Sequence, residues 1–132
     1  MNLAIKVLKS KQKQQTIKKK IVFHGQSLFS TENISMELLP ADEDFGIRFN
    51  INEEIIPATS DYLNTVELHT TSLSNGKVSV MMVEHLLAAI YGLGIDNIEI
   101  IMTQSIVPAQ DGSSQPYAIA LNDAGIIEQS KY

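Results

Sequence analysis

Residues 82–102 read Met82-Val83-Glu84-His85-Leu86-Leu87-Ala88-Ala89-Ile90-Tyr91-Gly92-Leu93-Gly94-Ile95-Asp96-Asn97-Ile98-Glu99-Ile100-Ile101-Met102. Met82, Val83, Leu86, Leu87, Ile90 and Leu93 recur at helical spacing, and Gly92 and Gly94 close the run as a C-terminal cap does. Ile95 to Met102 then reads as a strand buried on both faces. Much of the chain before this stretch alternates with period two, so the change of period at Met82 sets the fold class.

Working backwards, Lys77 to Val80 and Val66 to Leu73 flank Ser74-Asn75-Gly76, and Asn-Gly is a strong hairpin signal. Ile55-Ile56-Pro57-Ala58 reads as an edge segment, because Pro57 has no N–H for a ladder. Ile47 to Ile51 and Ile34 to Leu38 alternate cleanly, and Ile17, Ile21 and Phe23 continue the period from Gln15 to His24-Gly25. Working forwards, Asp111-Gly112 turns the chain. Ser113 or Ser114 caps a second helix with Pro116 in its first turn, burying Tyr117, Leu121 and Ala124 and stopping at Gly125. Ile126-Ile127 adds a short last strand. The expectation is an α+β two-layer sandwich, a mixed, mostly antiparallel sheet with two helices on one face.

The 132 residues are 44% hydrophobic and 19% charged, as a single folded domain requires, and no apolar run reaches the length of a membrane span. With no cysteine, disulfides and thiolate chemistry are excluded. Charge is unevenly placed. Seven of the ten basic residues fall in the first 20 positions, whereas residues 21–132 hold three basic and 15 acidic residues, a net of −12. So acidic a domain is a poor match for nucleic acid. We expect residues 1–14 to be a basic flexible arm and residues 15–132 to be one domain. Lys6 interrupts the apolar start and Lys9, Lys11 and Lys13 follow it, so the arm does not read as a secretory signal, and a cytoplasmic protein is expected.

Chemistry concentrates in two places. Glu84-His85 is the ionisable pair near the start of an otherwise apolar helix, where a carboxylate can act as a general base and an imidazole can ligate a metal. The same pair can also be structural, with Glu84 complementing the helix dipole and His85 a satisfied, partly buried side chain. The other histidines, His24 and His69, lie in strand-like segments. Val107 to Ser114 reads as a strand, turn and cap, with Asp111 as a candidate functional carboxylate. No glycine-rich phosphate loop and no Ser-His-Asp order is recognisable.

Val83-Glu84-His85-Leu86-Leu87-Ala88-Ala89 with Gly92-Leu93-Gly94-Ile95-Asp96-Asn97 resembles the helix of the zinc-dependent UDP-3-O-acyl-N-acetylglucosamine deacetylases of lipid A biosynthesis. Val107-Pro108 with Asp111-Gly112-Ser113-Ser114-Gln115-Pro116 resembles a second family stretch. Gln15-Thr16-Ile17-Lys18, Leu39-Pro40-Ala41, Gly46-Ile47-Arg48-Phe49 and Thr70-Thr71 agree in order, so the similarity covers about residues 14–130.

The resemblance implies the first of two similar α+β domains acting at their junction. It implies Glu84 as the general base and His85 as one zinc ligand, with Leu28, Thr70, Thr71 and Asp111 in substrate-binding or supporting roles. The remaining ligands belong to a His-Lys-x-x-Asp motif of the second domain, which this sequence does not contain. Zinc is therefore expected in the complete family enzyme and not to be retained by this chain alone. The departures lie near the site: Gly25-Gln26-Ser27-Leu28-Phe29 replaces Gly-Val-Gly-Leu-His, and Met81-Met82 replaces Ser-Thr. Two readings follow. One is an enzyme half completed by a second chain, acting on a UDP-linked acyl glucosamine only then. The other is a free-standing, non-catalytic relative that binds a partner. In either, Phe29, Met81 and Met82 are expected to give an apolar face suited to a partner chain or a homo-oligomer.

Overall fold

One row of side chains crosses the main sheet from edge to edge: Ile21, Leu38, Ile100, Phe49 and Ile56 are successive partners on five strands, and the last four are fully buried. A slip of one residue on any strand would turn its apolar set to solvent, so this row fixes the register. The computed structural model describes residues 12–27, 29, 31–65 and 70–132.

In chain order the strands are β1 (Gln15–Ile17), β2 (Ile21–Gln26), β3 (Asn33–Pro40), β4 (Ile47–Ile51) and β5 (Glu54–Pro57). A single 3-10 turn at Ser60–Tyr62 leads on to the hairpin of β6 (Ser72–Ser74) and β7 (Ser79–Met81). Helix α1 (Glu84–Gly92), β8 (Ile98–Met102), helix α2 (Gln115–Ala124) and β9 (Ile126–Glu128) follow. The main sheet has the order β2-β3-β8-β4-β5, antiparallel except for the β4–β8 pair, and β5 with its proline lies at an edge. Both helices pack on one face through Leu86, Ala89 and Ile90 of α1 and Tyr117, Leu121 and Ala124 of α2. This is the two-layer α+β sandwich expected from the sequence. No helix among the described residues is long and apolar enough to cross a membrane.

The boundaries differ from the sequence pattern for identifiable reasons. The alternation from Ile17 to Phe23 belongs to two strands: β1 pairs with β9 outside the main sheet, and exposed Lys18, Lys19 and Lys20 separate it from β2. Helix α1 begins at Glu84 because Met82 has φ +62°, outside the helical region. It ends in a Schellman turn. Gly94 sits at φ +72°, its N–H donates to Tyr91 O, and Ile95 N–H donates to Ile90 O. That turn consumes Ile95, so β8 starts only at Ile98. Of the strand expected over Val66 to Leu73, residues 66–69 lie outside the described residues and β6 occupies only Ser72–Ser74.

Asn97 ties the small β1–β9 sheet to the main one. It is 1% exposed; its carbonyl accepts the Thr16 hydroxyl at 2.6 Å and its Oδ1 accepts the Gly46 N–H at 2.9 Å. Its Nδ2 donates to Gln14 and Gln129.

Candidate functional site

The start of α1 is held from two sides. Met81, at the end of β7, donates its N–H to Ser105 O at 2.8 Å, and its own carbonyl accepts the Val107 N–H at 3.1 Å. Met82 then turns the chain through the left-handed region, a conformation that costs about 1–3 kcal/mol for a residue of this kind. Its N–H donates to Thr70 Oγ1 at 3.0 Å, and the Val83 N–H donates to Thr71 O at 3.3 Å. Helical bonding starts with Leu87 N–H to Val83 O.

Glu84 and His85 are consequently the first two residues of the helix, both half-buried. The Glu84 carboxylate sits where the helix dipole favours negative charge. Its Oε2 is buried and has no hydrogen-bond partner among the described residues. A buried polar atom left unpaired costs roughly 1–3 kcal/mol, so this oxygen is available to an incoming donor.

The loop before α2 brings Asp111 to the same side. Its Oδ1 accepts both the Ser113 hydroxyl at 2.6 Å and the Ser113 N–H at 2.9 Å. These bonds, with a smaller contribution from the nearby His85, hold the Asp111 carboxyl below its ordinary range. Ser113 also receives the Gln115 N–H at 3.2 Å, so Ser113, and not Ser114, gives a side-chain oxygen to the first turn of α2. Behind the loop, the Tyr117 hydroxyl donates to Pro108 O, and the Tyr117 ring meets Phe23 edge-on at 4.9 Å. Ala109 N–H donates to Gln26 O at 2.9 Å. Gly25 lets the loop approach β2, since a Cβ there would lie 3.1 Å from both the Pro108 Cβ and the Gln110 Nε2. A cavity of about 480 Å³ opens beside it, lined by Gly25, Gln26, Ser27, Ala109 and Gln110.

The sequence candidates thus divide. Glu84, His85 and Asp111 flank one region, and Thr70 buttresses it through its hydroxyl and Thr71 through its carbonyl. Leu28 and His69 lie outside the described residues. His24 points away: its neighbour Phe23 faces α2, while the His24 Nδ1 lies 2.8 Å from Ser35 Oγ on the opposite face of the sheet. Met82 does not contribute the apolar contact surface expected of it, because it is only 9% exposed, folded into its own domain. Phe29, in contrast, is 69% exposed.

Zinc in a catalytic site takes three protein ligands as a rule. Among the described residues there is no group of three or more His, Cys, Asp or Glu side chains that could hold a metal. His85 with one unpartnered carboxylate oxygen does not make a complete zinc site.

Residues 14–132 match the sequence profile of the family described as LpxC: UDP-3-O-acyl N-acetylglycosamine deacetylase. The chain belongs to this family. Similar members include the UDP-3-O-acyl-N-acetylglucosamine deacetylases of Ruthia magnifica subsp. Calyptogena magnifica, 39% identical over 123 residues, and of Legionella pneumophila (strain Corby), 41% over 122 residues. The deacetylase of Oleidesulfovibrio alaskensis is 44% identical over 123 residues. These matches cover 89–91% of this chain but only 40% of each relative, so the chain spans about two-fifths of the length of these deacetylases.

Sequence reasoning missed the Thr70–Met82 bond and the Tyr117–Pro108 bond. Neither has a local signature, since each joins residues whose proximity depends on the folded hairpin or helix. In the sequence Asn97 stands only as part of a motif. A polar residue at the head of a buried strand was the available sign that its amide is satisfied inside.

Proposed function

We propose that this chain supplies the first-domain share of a zinc-dependent UDP-3-O-acyl-N-acetylglucosamine deacetylase of lipid A biosynthesis and is incomplete for catalysis alone. The observation that carries the reading is the unpartnered Glu84 Oε2 beside half-buried His85 at the start of α1, within a family match that covers residues 14–132. In this reading residues 15–132 are the working domain, residues 1–14 a basic arm, and the setting is cytoplasmic. It works against the second-domain share of such an enzyme, or against a second copy of itself.

His85 contributes one metal ligand, and the others come from outside the described residues. Glu84 handles protons. As the oxygen of water adds to the acetamide carbonyl carbon, Glu84 accepts the water proton. It returns that proton to the amine nitrogen as the carbon–nitrogen bond breaks, releasing acetate and a free amino sugar. Leu28, Thr70, Thr71 and Asp111 support the site. Asp111 stays ionised beside His85, and Thr70 and Thr71 act by bracing the start of α1.

The test is a fusion of this chain to the remaining part of a related deacetylase, beyond the segment it matches. Hydrolysis of UDP-3-O-acyl-N-acetylglucosamine by the fusion, lost on Glu84→Gln and absent from the isolated chain, is the expected result. A fusion that folds and binds zinc without turnover would favour the non-catalytic reading, in which exposed Phe29, Tyr91 and Ile119 serve only to bind a partner.

A further inference from the structure

Five described non-glycine residues have positive φ: Asp44, Asn52, Glu53, Met82 and Gln110. Four of them are polar and exposed, at turns, where side chains of this kind are tolerated. Met82 alone is apolar and buried. Its side chain cannot hydrogen-bond its own backbone, so its conformation must be imposed from outside. The atom placed to impose it is Thr70 Oγ1, which accepts the Met82 N–H at 3.0 Å. The same hydroxyl donates to Thr71 O at 3.4 Å, and that carbonyl also accepts the Val83 N–H at 3.3 Å. The two threonines thereby satisfy the two N–H groups that immediately precede the helix.

We propose that Thr70 is a positioning residue: its hydroxyl locks Met82 in the left-handed turn that launches α1 and so sets where Glu84 and His85 project. The inference deepens the functional reading above and rests on it for its meaning. Upstream, Met81 is fixed independently by Ser105 and Val107. Met82 is therefore the joint between a pinned strand end and the helix, and its ψ and φ decide the direction of the first turn. Release of Met82 into an extended conformation would redirect Val83 and swing Glu84 and His85 relative to Asp111. The strain is placed two residues from the ionisable pair, where an error in backbone direction is transmitted to it directly.

The test uses the full chain, Thr70→Val and Thr70→Ser. Valine keeps the shape and removes both hydrogen-bonding roles, and serine keeps them. Two signals are read by NMR: amide exchange at Met82 and Val83, and the His85 ring correlation with His24 as internal reference. In the parent the Met82 amide is protected. Thr70→Val speeds exchange at Met82 and Val83 by about tenfold and moves the His85 signal, leaving His24 and the β2–β3 amides in place. Thr70→Ser restores the parent pattern, which general loss of packing would not do.

The proposal is overturned if Thr70→Val leaves the His85 signal unmoved, or if serine behaves as valine does. A Met82 amide that exchanges at the free-chain rate in the parent overturns it too, even where Thr70→Val fails to fold. No metal or substrate enters these readings, so their failure is separate from failure of the fusion to turn over.

Discussion

The Tyr117 hydroxyl donates to the Pro108 carbonyl, and both residues are buried between α2 and β2. The bond links the helix to the loop that carries Asp111, so the position of a candidate site carboxylate depends on a core side chain. Burial also holds the Tyr117 phenol well above its ordinary value, which keeps it a donor at any working pH. Tyr117→Phe retains the edge-on contact with Phe23 but leaves the Pro108 carbonyl unpaired. We predict a loss of about 1–2 kcal/mol in urea unfolding, with the Ala109 and Asp111 amide resonances displaced. An unchanged midpoint would show that the bond contributes nothing net.

Asn97→Ala should be among the most damaging polar substitutions. It strips the Gly46 N–H of its acceptor and the Gln14 and Gln129 side chains of a shared donor. The expected cost is about 2–4 kcal/mol by denaturant titration. A loss under about 0.5 kcal/mol, as for an ordinary surface site, would contradict the role given to Asn97.

The Schellman turn at the end of α1 predicts a specific intolerance. Gly94 has φ +72°, and a Cβ there would come within 3.0 Å of Gln15 Nε2. Gly94→Ala should cost about 1–2 kcal/mol, whereas Gly92→Ala, inside the helix with open space around it, should be neutral or mildly stabilising. Equal effects at the two glycines would contradict the assignment of the cap.

The pH dependence of the Asp111 turn follows from its lowered carboxyl. A group whose folded pKa lies below its unfolded value stabilises the fold above the unfolded value, and that stabilisation is lost as pH falls through the folded one. The turn should therefore persist at neutral pH and weaken only below about pH 4. Carboxyl NMR should give Asp111 a midpoint below that of an unfolded peptide, and Ser113→Ala should raise it. A midpoint indifferent to Ser113 would show that the two hydrogen bonds are not the main cause.

Much of the sheet was legible because period two survives in Ile34-Met36-Leu38 and Ile47-Phe49-Ile51, all of which face the helices. Both helices were legible from their spacing and from glycines beyond their ends. The placement of Glu84 and His85 at the head of α1 followed from the same pattern. The two-residue correction at Met82 did not, because nothing local marks a methionine for the left-handed region. The separation of β1 from β2 was hidden because Ile17, Ile21 and Phe23 keep one alternation across a lysine turn. The nearness of Asp111 to His85 is a property of helix packing, and spacing along the chain carries no trace of it.

Metal content tests the central claim most directly, because the claim is that His85 supplies one zinc ligand among several. Purified in the presence of zinc and dialysed, the isolated chain should retain well under one zinc per molecule. The fusion with the remaining part of a related deacetylase should retain about one, falling sharply in His85→Ala. A full equivalent of zinc on the isolated chain, or occupancy of the fusion that ignores His85→Ala, would contradict the account.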